Sequence, residues 1–222
     1  MDGVDALNAL ESTVSGVNSS YKLFMASLVG EFHRVTASNV TKLTLREFTK
    51  SSRLLQSDSL SVINHALNDG LSHLKSLLKN TDAKDFAKIK TDVVSVLTGA
   101  YQNQMSLDIE SARSDVFRYM LAVIRQTDNG ATQSSALIAA SKTVRFSFVD
   151  RAGKKWNSER YVTTVTRFEI IKGIYFSYLL GAEAKGVDGL MLTNGKIINV
   201  RDMDMYSHPN SKLIPIQVVI HK

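Results

Sequence analysis

Residues 4–35 read VDALNALESTVSGVNSSYKLFMASLVGEFHRV, and the apolar positions within them fall at Leu7, Leu10, Val14, Val17, Tyr21, Phe24, Leu28, Phe32 and Val35. Steps of three and four follow one another, which is the period of one face of a helix. At 1.5 Å per residue the helix would be about 50 Å long, more than one compact neighbour covers. It must therefore lie against other long helices, in this chain or in others. Its polar face holds Ser, Asn and Thr instead of the Glu and Lys ladder of a free coiled coil, so packing within the chain is expected.

Working outward, Leu43 to Gln56 reads as a short helix. Asp58 is placed to cap a second one, striped by Val62, Ile63, Ala66, Leu67, Leu71, Leu74, Leu77 and Leu78 up to the Asn80-Thr81-Asp82 break. A further long stripe runs through Phe86, Ile89, Val93, Leu97, Tyr101, Met105, Ala112, Val116, Met120 and Val123. Residues 1–127 are thus expected to be an all-helical domain.

The turn signal Thr127-Asp128-Asn129-Gly130 marks a change of character, and residues 128–222 read as a second domain of α+β type. Ala131 to Lys142 is expected as a short helix and Val144 to Val149 as a half-buried strand. A long helix should start near Ser158, with Ser158 as its cap, and run towards Gly186, weakened by Gly173 and Gly181. Gly189 to Leu192 and Lys196 to Val200 flank Asn194-Gly195, a strong hairpin cue. Leu213 to Ile220 makes a last strand, and Pro215 within it means that the strand lies at an edge or starts after the proline. The fold class is α+β: a mostly helical part with long helices, then one long helix against a small antiparallel or mixed sheet.

Composition narrows the chemistry. With 222 residues, 44% hydrophobic and 22% charged, the chain can bury a real core and is expected to be folded and soluble. It has no Cys, which removes disulfides, thiolate metal sites and Cys nucleophiles. The N-terminus opens acidic and no apolar run approaches a membrane span, so neither secretion signal nor anchor is expected. The net charge of +6 is uneven. Residues 1–127 carry 14 Lys and Arg against 13 Asp and Glu, residues 128–222 carry 13 against 8, and a cationic face there suits a polyanion or an acidic protein surface.

No phosphate-cradling loop, dinucleotide fingerprint, H-E-x-x-H or G-x-S-x-G occurs. Glu169 and Glu183 would lie about 15 and 36 Å along a helix from Glu159, too far apart for one acid–base centre. His33, His65 and His73 sit in helical stretches as boundary or surface residues. Asp202, Asp204 and His208 offer two carboxylates and an imidazole to an ion, but a solvated loop is the simpler reading, and neither metal nor cofactor is expected.

The most individual stretch is Asp150-Arg-Ala-Gly153-Lys154-Lys155-Trp156-Asn-Ser-Glu-Arg160-Tyr161, continued to Arg167. Lys154, Lys155, Arg160 and Arg167 are the candidate contacts for phosphates or a partner's carboxylates, Arg160 and Arg167 sharing a helix face two turns apart. Trp156 and Tyr161 read as anchors of the helix on its sheet.

This stretch resembles the Mu F-like minor head proteins, also called head morphogenesis proteins, of tailed bacteriophages. Their C-terminal region reads strand, D-x-x-G-[KR]-x-W, then Tyr, then Arg within a helix. Asp150, Gly153, Lys154, Trp156, Tyr161 and Arg167 carry the likeness, and Ala184 to Asp188 looks like that family's step from helix to strand. The resemblance implies a non-enzymatic virion protein made in the host cytoplasm, present in few copies in an oligomeric assembly at or near the portal vertex. Its expected partners are portal or other capsid proteins, with packaged double-stranded DNA as a further contact. Two rival readings are a sequence-independent DNA-binding protein and a metal-dependent enzyme centred on residues 202–208.

Overall fold

The computed structural model describes residues 3–37, 42–79, 81–130, 132, 134, 135, 148, 149 and 155–221. Its helices are α1 (Gly3–Thr36), α2 (Lys42–Leu78), α3 (Phe86–Asp128) and α4 (Ser158–Lys185). Strands β1 (Phe148–Val149) and β2 (Lys155–Trp156) pair antiparallel, and β3 (Gly189–Leu192), β4 (Ile197–Asn199) and β5 (Pro215–Val219) form a second sheet. The fold is the expected mostly helical part with long helices followed by one long helix and a small antiparallel sheet. Of the expected helix at 131–142 only residues 132, 134 and 135 are described, and residues 144–147 of the expected strand lie outside the described residues.

One helix differs from expectation. α2 runs unbroken for 37 residues through Ser57, Asp58 and Ser59, where the sequence suggested a stop and a new cap. Neither Gly nor Pro occurs between Lys42 and Asp69, and the buried positions Thr44, Phe48, Ser52, Ile63 and Leu67 keep one helical phase across Asp58. Gln56, at the supposed end, donates to the Gln102 carbonyl (3.0 Å) and Ser106 Oγ (2.8 Å) on α3. Local capping preference yields to these tertiary bonds.

The chain forms two compact units, each discontinuous in sequence: Met1–Ser20, Val62–Ala100 and Tyr161–Lys222 make one, Tyr21–Ser61 and Tyr101–Arg160 the other. These divisions do not follow the change of composition at residue 127. In the first unit four contacts close a ring of helices. Thr13 of α1 lies against Gly70 of α2, Thr98 Oγ1 of α3 donates to Asn64 Oδ1 of α2 (2.9 Å), Gly173 of α4 sits on Val93 of α3, and Arg167 of α4 pairs with Glu11 of α1. That is a four-helix bundle. Its interior is filled by Leu10, Val17, Leu67, Leu71, Leu97, Ile171 and Ile174, all fully buried.

The sheet of the same unit has the order β4-β3-β5, which puts Pro215 on an edge strand as its missing N–H requires. β3 and β4 turn at Asn194-Gly195, where Gly195 adopts φ 79° and Asn194 Oδ1 accepts from the Lys196 amide (3.1 Å). α4 stops at Gly186 (φ 64°): its amide returns to the Glu183 carbonyl and that of Val187 to Ala182, the paired bonds of a Schellman end. Residues 200–205, expected as the end of a strand and the loop after it, form a short 3-10 helix, capped where Asn199 Oδ1 accepts from the Arg201 amide (2.9 Å).

In the second unit the remaining parts of α1, α2 and α3 pack around aromatic side chains. Phe32 meets Tyr119 edge-on at 5.6 Å, and Tyr21 stands 5.6 Å from Phe24.

Candidate functional site

The motif of residues 150–167 opens at the start of α4. Asp150, Gly153 and Lys154 lie outside the described residues, and Lys155 and Trp156 form β2, Trp156 opposite Phe148. Asn157, and not the expected Ser158, caps α4: its Oδ1 accepts from the amides of Glu159 (2.9 Å) and Arg160 (3.4 Å). Ser158 turns inward instead. Tyr161 is half-buried and Arg160 exposed.

Arg167 is engaged inside its own unit. Its side chain is 14% exposed; Nη1 pairs with Glu11 of α1 and Nη2 donates to the Ser211 carbonyl at 2.9 Å. One planar guanidinium thus joins α4, α1 and the segment before β5, a task that suits Arg and not Lys. Arg160, seven residues earlier, points to solvent. The helix therefore carries the two cations in different environments, one structural and one free for contact. Arg167→Ala is expected to lower stability by about 1–2 kcal/mol, because the Ser211 carbonyl loses its charged donor. Glu11→Ala, at a half-exposed site, should cost less than about 1 kcal/mol. Urea unfolding of the two single variants and the double variant measures both, and a double variant equal to the sum would remove the pairing.

A buried carboxylate, not apparent from the sequence motifs, lies in the second unit. Asp108 is 2% exposed; Oδ1 accepts from Ser158 Oγ (2.6 Å) and Gln104 Nε2 (3.2 Å), and Oδ2 from the Tyr21 hydroxyl. Burial pushes its pKa above the ordinary carboxylate value, and the donors from Ser158, Tyr21 and Gln104 offset only part of the rise. The knot ties α1, α3 and the first residue of α4 together.

On the outer face of the same unit α2 presents Arg46, Lys50 and Arg53, all exposed, at spacings of four and three. They border a groove of about 690 Å³ that also touches Leu45, Leu54 and Arg113. This cluster was open to the same spacing argument that singled out Arg160 and Arg167.

Asp202, Asp204 and His208 are all exposed, and among the described residues no three His, Asp or Glu side chains converge to hold an ion. His33, His65 and His73 are also exposed, His65 Nε2 lying 3.2 Å from Asp69 Oδ2. No helix among the described residues is long and apolar enough to cross a membrane.

Comparison with protein-family models, with curated proteins and with solved structures found no match.

Proposed function

We propose that the chain is a non-enzymatic structural protein of a tailed-bacteriophage virion, a minor head protein at or near the portal vertex that works through protein–protein contacts. The observation that carries this reading is an apolar ladder on the outside of α3. Phe117, Leu121 and Ile124, spaced by four and three residues, are all exposed on one helix face. A contiguous outward apolar stripe is the usual mark of a surface that another protein covers. Helices of 34, 37 and 43 residues supply the length for contacts to large subunits. The sequence resemblance at Asp150 to Arg167 supplies the biological setting, and the engagement of Arg167 with Glu11 and Ser211 suits an architectural motif.

The test is assembly. The purified chain is sedimented at low ionic strength with the portal protein encoded beside its own reading frame and with empty capsids. Co-sedimentation in a few copies per portal ring is expected, reduced in Leu121→Asp while the melting temperature is kept. A chain that stays monomeric and sediments alone with both would overturn the reading.

A further inference from the structure

We propose that the groove beside Arg46, Lys50 and Arg53 binds an acidic amphipathic helix of a partner protein. Its floor is apolar and its walls are cationic. Leu45 and Leu54 lie along α2, Leu54 being 60% exposed, and Arg113 closes the groove from α3. A second groove, of about 410 Å³, shares Leu45 and Arg113 and continues to Phe117, 50% exposed, and Arg118. Five cations thus surround three apolar side chains.

Charge complementarity identifies the occupant. Arg113 already pairs with Glu110 (3.1 Å) and Arg118 with Asp115, both along α3. Arg46, Lys50 and Arg53 take part in no ion pair among the described residues. A partner with its own carboxylates would complete this unneutralised row. Residues 131–149 of the chain itself contain Lys142 and Arg145 and no Asp or Glu, so they do not complement it.

A duplex would meet the cations but give Leu45, Leu54 and Phe117 nothing apolar to bury, since its accessible backbone is phosphate and sugar. An amphipathic helix satisfies both halves. From Leu45 to Leu54 the groove follows α2 for about 14 Å, enough for roughly two and a half turns of a bound helix. Apolar residues at i, i+4 and i+7 would fill the floor, with Glu or Asp on the flanks facing the α2 cations. The inference rests on this surface and not on the virion setting, because a free peptide reports it whether or not the chain joins a portal.

The probe is a synthetic, fluorescein-labelled helix with leucines on one face and glutamates flanking them; a lysine-flanked counterpart and a short DNA duplex are the controls. Anisotropy titration of the full chain should show saturable micromolar binding of the acidic probe, with salt weakening it. Arg46→Glu with Arg53→Glu should weaken binding at least about tenfold, and Leu54→Ala several-fold. Because the chain has no Cys, Thr49→Cys carries a single dye whose emission reports the groove directly, without depending on how the charge variants fold. An unchanged emission on adding the acidic probe, or equal binding of the lysine-flanked probe, would overturn the proposal. So would DNA binding that is lost in the charge variants and indifferent to Leu54→Ala, which would make the groove a nucleic-acid site.

Discussion

Replacing Asp108 by alanine should destabilise the protein by about 3–5 kcal/mol, whereas asparagine should stay within about 1 kcal/mol of the parent at neutral pH. Alanine removes the acceptor of three buried donors at once: the Tyr21 hydroxyl, the Ser158 hydroxyl and the Gln104 amide. Each buried donor left alone costs about 1–3 kcal/mol, and the side chain also leaves a void. Asparagine keeps the volume and the Oδ1 acceptor for Ser158 and Gln104. Its Nδ2 meets the Tyr21 oxygen, and a phenol can turn from donor to acceptor. It also removes the charge that burial opposes, so the two effects nearly cancel.

The same pair separates the pH dependence. Burial raises the folded-state pKa of Asp108, so the folded chain holds this proton more tightly than the unfolded chain does. The stabilisation from the proton is complete below the unfolded value near about 4 and is lost as pH rises through the folded one. Glu31 and Asp82 act in the opposite sense, since both are held below their ordinary values in the fold. They are present in parent and variant alike and drop out of the difference. Urea unfolding of the parent and Asp108→Asn should therefore show the parent losing stability relative to the variant as pH is raised from about 4 to 7. A difference flat across that range would mean that Asp108 titrates as an ordinary carboxylate, and asparagine as harmful as alanine would mean that the donors require the charge.

Asp108 also shows what a sequence reveals and what it withholds. It falls within the buried phase of α3 between Met105 and Ala112, so a polar residue on an apolar stripe was visible. Its partners Tyr21 and Ser158 stand 87 and 50 residues away, and no local pattern announces them. The α1 stripe was legible because periodicity within one helix is a local property. So were the Asn194-Gly195 turn and the Gly186 end, where a positive φ calls for a particular residue type. The continuity of α2 was not, since Asp58 favours a cap locally while the bonds of Gln56 to α3 favour a helix, and only the latter depend on a distant segment. Likewise Arg167 and Arg160 look alike in sequence. Ser211 and Glu11 distinguish them only once the chain is folded.

Gly181 shows the same separation at larger energetic scale, because helix propensity and packing predict opposite signs for Gly181→Ala. Propensity alone would favour alanine by up to about 1 kcal/mol at this position, one turn before the end of α4. A Cβ at residue 181 would stand 1.9 Å from the backbone carbonyl oxygen of Asp82, closer than any contact allows. That carbonyl has nowhere easy to go. The Lys84 amide donates to the Ser177 carbonyl (3.0 Å), Ser177 Oγ donates back to the Lys84 carbonyl (2.8 Å), and Asp82 itself binds Lys185 and the Val218 amide (2.9 Å). Ser177, Gly181 and Lys185, four residues apart, are one face of α4 against which the loop before α3 is clamped. Overpacking against backbone held in this way outweighs propensity, and Gly181→Ala is expected to be destabilising by about 2–4 kcal/mol. Gly99→Ala on α3 is the matched control: beyond the local helix backbone no atom lies within 4 Å of where a Cβ would stand, so propensity acts alone and should add about 0.5–1 kcal/mol. Thermal unfolding of the two variants should move in opposite directions. Were Gly181→Ala to raise the melting temperature as Gly99→Ala does, the clamp between α4 and residues 82–84 could not be as tight as these distances require.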